Sequence, residues 1–310
     1  MYPLLSIGLG ALIALMITLN SQLASLMGII PASLVLHLVG LGTITAVIAL
    51  RDQVGSGKRV PLFLRLGGLV GVGLTLFNII CFQAIGASLT IALGILGQTL
   101  AGQIVDITGF LGMEKHPFHK GKLAGWILIL LGVQLMAGGS SGQGLYVLLA
   151  FMAGTMVMLS SVLNAQLAQK IGIFRATRNN FIMGLAGLIV LLFFFWTGPE
   201  PFYLIPRIHP FILAGGGVFA VLVVSGMNLI LPKIPTVYST ILIFSGQIST
   251  GLIVDYFLYG QFSVEKAVGA LVILLGLAVK TLIDRHVAAS LMEASSLIKT
   301  TLVPDKKIDI

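Results

Sequence analysis

Charge is scarce in this chain. Only 9% of its 310 residues are Asp, Glu, Lys or Arg, while 57% are hydrophobic. A soluble domain carries about 25% charged residues, so a water-exposed globule is excluded and the chain reads as an integral membrane protein. There is a single cysteine, Cys81, so no disulfide framework can form within the chain, and a small buried hydrophobe is expected there. No Walker-type loop occurs, which argues against direct ATP coupling. No apolar stretch carries a nucleophile–base–acid set, an arginine series or a filter-like loop. A membrane enzyme, a voltage sensor and a channel are therefore disfavoured. His116 and His119 form a His-x-x-His pair in the loop Glu114–Lys122 without a third ligand nearby. No metal and no cofactor are expected.

What the chain does have is long apolar windows. Ten exceed the length of roughly 18 residues needed to span a bilayer: 4–27, 30–50, 62–84, 87–112, 121–138, 145–169, 174–196, 209–230, 234–258 and 263–283. The first is too long for a signal-peptide core and no basic segment precedes it, so it reads as a span. The 38 glycines suit closely packed membrane helices. The net charge of +8 could suggest nucleic acid, but its placement does not. With ten spans, all 18 Lys and Arg residues except Arg207 and Lys266 fall on one side. That asymmetry predicts both termini in the cytoplasm, and nucleic acid is not an expected partner.

One ten-residue stretch occurs twice. Gly97–Asp106 reads GQTLAGQIVD and Gly246–Asp255 reads GQISTGLIVD, with six positions identical. Gln98, Gly102 and Asp106 stand four residues apart, as do Gln247, Gly251 and Asp255. On a helix such steps keep all three groups on one stripe. A second pair lies at the ends of the first and sixth windows: Asn20, Gln22, Leu23, Ala24, Gly28, Ile29 and Ala32 return as Asn164, Gln166, Leu167, Ala168, Gly172, Ile173 and Ala176. The offset is 144 there and 149 in the opening pair. The matches are colinear, which divides the chain into 1–143, 144–283 and a tail of 284–310. Five spans is an odd number, so the second copy enters the membrane inverted. This is a common construction for secondary transporters. The linker Gly138–Gly144 reads as a flexible turn, and the tail as an amphipathic or disordered cytoplasmic segment.

Helical rise places Gln98 and Gln247 near the membrane centre, Asp106 roughly 10 Å toward the cytoplasm and Asp255 roughly 13 Å toward the outside. If spans one and nine meet, and four and six, Asn20 joins Asp255 in an outer cluster and Asn164 joins Asp106 in an inner one. Gln98, Gln247, Asn20 and Asn164 are then the candidate substrate-binding residues, since transporter sites lie near the midplane. Asp106 and Asp255 are the candidate proton-coupling groups, because an intramembrane carboxylate is costly and needs a reason. The competing reading makes them structural hydrogen-bonding groups near helix ends, and the asparagines interhelical glue. His37 has Phe181 as its counterpart; proton transfer is one reading of it and interfacial packing the favoured one. Gly67, Gly71 and Gly215–Gly217 are read as close helix contacts, with lining of the site as the other reading.

The repeated Asn-x-Gln-Leu-Ala…Gly signature at Asn20–Gly28 and Asn164–Gly172, together with the Gly-Gln…Val-Asp stretch, resembles the YdcZ-type branch of the drug/metabolite transporter superfamily. The resemblance covers nearly all of the chain and implies a fused five-plus-five form. It implies an all-α integral membrane fold of ten transmembrane helices in two inverted-topology repeats, with a central cavity opening alternately to either side. The expected function is non-enzymatic: a secondary transporter exporting a small organic solute in exchange for protons, in the lipid bilayer of a bacterial inner membrane. A lipid-carrier or lipid-linked headgroup flippase on the same scaffold is the alternative, and a non-transporting membrane accessory protein is the third, less favoured reading. Whether the chain acts alone or as a homodimer stays open.

Overall fold

The computed structural model describes residues 2–51, 60–110, 119–138, 143–196, 198–230, 236–260 and 263–302. The side chains of Asp106 and of 284–302 are outside what is described, as are His116 and most of the linker after Gly138. Everything described is helical or loop. Helices α1 (Tyr2–Met27), α2 (Ile29–Arg51), α3 (Gly67–Ile85), α4 (Ala87–Thr108) and α5 (Lys122–Ala137) form the first half. Helices α6 (Gly144–Ile171), α7 (Ile173–Phe194), the single turn α8 (Glu200–Tyr203), α9 (Pro210–Ile230), α10 (Thr236–Tyr259) and α11 (Val264–Leu302) form the second.

Each predicted apolar window coincides with one of these helices. Among the described residues, nine are long and apolar enough to cross a membrane, and α5 is a shorter apolar helix. Its 16 residues rise about 24 Å, less than a hydrocarbon core of about 30 Å. The surface is apolar: Phe193 is 82% exposed and Phe257 78%. Water does not tolerate large rings displayed in this way; lipid does. α11 runs on from the last window with its backbone helical to Leu302, so the tail follows the helical of its two expected forms and is continuous with the span.

The helices pack closely because their contacts are made by glycine. α1 lies against α10, and α4 against α6. A methyl group on Gly10 would overlap the carbonyl oxygen of Ile243, and one on Gly154 that of Gly94. Gly97 meets the Phe151 carbonyl and Gly246 that of Ile7. These are equivalent positions of the two halves. α5 and α11 show the same reciprocity: a Cβ on Gly125 would stand 2.7 Å from the Gly276 carbonyl oxygen, and one on Gly276 2.7 Å from that of Gly125. In lipid, where the hydrophobic effect does not drive helices together, such backbone approach supplies the packing.

The turns are also reciprocal. Gly28 (φ 87°) separates α1 from α2, and Gly172 (φ 89°) separates α6 from α7. Only glycine adopts this conformation without strain. Each break tips the next helix back across the bundle, so α2 and α7 meet face to face.

Candidate functional site

Eight helices enclose a cavity of ≈ 180 Å³, and no described residue of α5 or α11 lines it. Asn20 comes from α1, Gln98 from α4, Asn164 from α6 and Gln247 from α10, and all four line the space. The cavity thus gathers the four candidate binding residues, although more than a hundred positions separate the members of each pair. Most of the remaining wall is apolar, including Ile13, Ile17, Ile91 and Met227. The sequence reading missed Asn180 and Ser160, which also line it. Neither belongs to a repeated polar pair: their counterparts are Leu36 and Met16.

The two asparagines sit in matching pockets. Asn164 Nδ2 donates to Asn180 Oδ1 at 2.8 Å and to Ser160 Oγ at 3.2 Å. The Ser160 hydroxyl donates to the Gly67 carbonyl at 2.9 Å. Asn164 Oδ1 is buried without a hydrogen-bond partner, facing Gly67, where a Cβ would stand only 2.6 Å away. Asn20 Oδ1 is likewise buried and unpartnered, against Gly216, where a Cβ would overlap it. Gly67 and Gly216 are equivalent residues, so each half holds the other's asparagine against a bare helix backbone. An orphaned acceptor costs about 1–3 kcal/mol, a penalty softened by Cα–H contacts at such close range.

Gln98, Gln247 and Asn78 are less committed. All three line the cavity, are partly buried, and have no side-chain hydrogen bond to another described residue. Their carboxamides remain available to a solute or to water.

His37 lines the cavity from α2 but is held in place. Its Nδ1 lies 2.9 Å from the Ser33 carbonyl oxygen, and its ring meets the Phe181 ring edge-on at 5.8 Å. His37 packs onto Gly184 just as Phe181 packs onto Gly40. This is the packing role read from its Phe counterpart.

Asp255 is positioned differently from the cluster expected with Asn20. No hydrogen bond joins the two among the described residues. The Asp255 carboxylate instead crosses to the start of α4, accepting from the backbone N–H of Ala87 at 2.9 Å and of Ser88 at 3.1 Å, and from the Ser88 hydroxyl. Lys266, near the start of α11, completes the group at 3.3 Å. The reason is geometric and electrostatic. The first N–H groups of a helix have no partner within it and carry the positive end of its dipole, so a carboxylate arriving from α10 caps α4. Gly86 leaves room: a Cβ there would stand 3.3 Å from Asp255 Oδ1. Asp255 is 4% exposed and is not part of the cavity wall. Ser88 carries no sequence signal, and Lys266 read only as a topology mark.

The family model described as "Putative inner membrane exporter, YdcZ" matches residues 1–135 and again residues 145–279. No curated protein matches. A solved structure described as "Crystal structure of protein" aligns with a TM-score of 0.60 at 14% identity, covering 92% of this chain and 97% of that one. At that identity the likeness concerns the fold alone. The two family matches fall on the two halves that contribute equivalent residues to the cavity. With them, the apolar helices and the apolar surface have one explanation: the chain belongs to the YdcZ family of inner membrane exporters and is a multi-pass membrane protein.

Proposed function

We propose that the chain is a secondary exporter that moves a small organic solute through the central cavity by alternating access. In this reading its halves are two five-span repeats inserted with opposite topology, with both termini cytoplasmic and α5 as the tenth span. The observation that carries the proposal is the cavity wall. Asn20 and Asn164, Gln98 and Gln247, and His37 and Phe181 are equivalent positions, and all six line one space. A pseudo-twofold axis through such a cavity lets one repeat take the arrangement of the other. That exchange is how inverted-repeat transporters open alternately to the two sides.

Proton exchange is the proposed drive, with Asp255 and Asp106 as its carriers. Asp255 stands outside the cavity wall, so a proton arriving there would act on the contact between α10, α4 and Lys266 and not on the solute. Asp106 and Lys122 occupy the sequence positions equivalent to Asp255 and Lys266, which supports an equivalent role for Asp106. The test is solute flux in proteoliposomes under an imposed pH gradient. Wild-type flux should be saturable and should fall in Asp255→Asn and Asp106→Asn. Unchanged flux in both variants would remove the carboxylates from the drive, and absence of saturable flux in the wild type would remove transport itself.

A further inference from the structure

The cavity wall contains no Asp, Glu, Lys or Arg among the described residues. Taking the cavity as the transport site, as proposed above, we infer that its solute is uncharged: a small molecule with an apolar body and an edge carrying amide, urea or hydroxyl groups.

Three observations converge. First, no described residue of the wall offers a charge to pair with a charged solute. The carboxylate of Asp255 is outside the wall, and Lys266 and the N-terminus of α4 already occupy it. An ion entering the cavity would give up its hydration without gaining a counter-charge, the costly case for any buried ion. Second, no aromatic cage for a cation stands among the described residues: Phe181 is the one aromatic ring they bring to the wall besides the His37 imidazole, which meets it edge-on. Cation binding without carboxylates relies on open aromatic faces. Third, apart from the Ser161 hydroxyl, the uncommitted groups are amides. Gln98, Gln247 and Asn78 reach the cavity from α4, α10 and α3 with their own donors and acceptors unused. A carboxamide offers an N–H₂ and a C=O side by side. Its best partner presents the same pair, and the surrounding Ile13, Ile17, Ile91 and Met227 suit an apolar remainder.

The experiment uses the full chain in detergent and matched probes: tolyl, cyclohexyl and butyl skeletons, each as the carboxamide, the trimethylammonium and the carboxylate. Binding is read by thermal shift and by equilibrium dialysis. We expect carboxamides to bind and their charged counterparts to bind at least about 100-fold more weakly. Gln247→Glu, with Gln98→Glu as a second variant should the first fail to fold, should gain trimethylammonium binding and lose part of its carboxamide binding. Ammonium or carboxylate binding to the wild type as tight as carboxamide binding would overturn the inference while leaving the transporter reading intact. Failure of every carboxamide to bind would also overturn it. Carboxamide binding without counterflow in proteoliposomes would support the solute class and contradict the transporter reading.

Discussion

The Asp255 carboxylate and the Ser88 hydroxyl are hydrogen-bonded across 167 positions of the chain. This joins the end of α10 to the beginning of α4, and Lys266 brings in α11. If Asp255 caps α4, the three partners should differ in cost. Asp255→Ala leaves Lys266 and two helix N–H groups unpaired, and should cost about 3–5 kcal/mol, as when one side of a buried ion pair is removed. Ser88→Ala removes one charge-assisted bond, about 1.5–3 kcal/mol. Lys266→Ala should cost least, because its side chain is 27% exposed and the carboxylate keeps its α4 donors. Unfolding titrations in mixed micelles would give the order.

The glycine contacts lead to a second prediction. Gly10→Val and Gly154→Val each drive a side chain into the carbonyl of the facing helix, and should destabilise by similar amounts, at least about 1–3 kcal/mol. Gly8→Ala and Gly42→Ala meet nothing within 4 Å and should be neutral or slightly stabilising, since alanine is the better helix former. Melting temperatures of the four variants check both halves of the claim.

His37→Phe gives the first half the residue that the second half already uses. The fold should tolerate it, losing one hydrogen bond to Ser33 worth about 0.5–1.5 kcal/mol. Flux under a pH gradient should persist. Loss of gradient dependence with intact folding would make His37 a proton carrier and not a packing residue.

Gln98→Leu and Gln247→Leu should leave the melting temperature nearly unchanged, because neither carboxamide is hydrogen-bonded within the described protein. Each should weaken carboxamide binding about tenfold, the equivalent of one hydrogen bond. Equilibrium dialysis beside thermal unfolding separates the two effects.

How much of this could be read in advance depended on repetition. Gln98, Gln247, Asn20 and Asn164 each had a copy, and a polar residue repeated at the same place in an apolar run is visible without a structure. The helix ends followed roughly from the limits of the apolar windows, and the structure puts Gly28, Gly86 and Gly172 at three of the breaks. Ser88 was hidden, because one serine at a helix start is common and its partner lies on another helix. Lys266 looked like a loop cation, since sequence shows the sign of a charge and not its distance to Asp255. Asn180 was hidden by facing leucine in the other half. The pairing of α1 with α10 and of α4 with α6 was allowed by symmetry, but only the backbone geometry at Gly10 and Gly154 accounts for it. The helical tail was one of two forms open from sequence, and its continuity with the last span was hidden because Lys280, Asp284 and Arg285 resemble the end of a span.

The central claim is that one cavity opens to both sides of the membrane in turn. The most direct measurement is thiol labelling at Gln98→Cys in a Cys81→Ser background, with an impermeant maleimide added to one face of oriented vesicles at a time. The account predicts labelling from either face, slowed by a bound carboxamide probe. Labelling confined to one face under all conditions would contradict it.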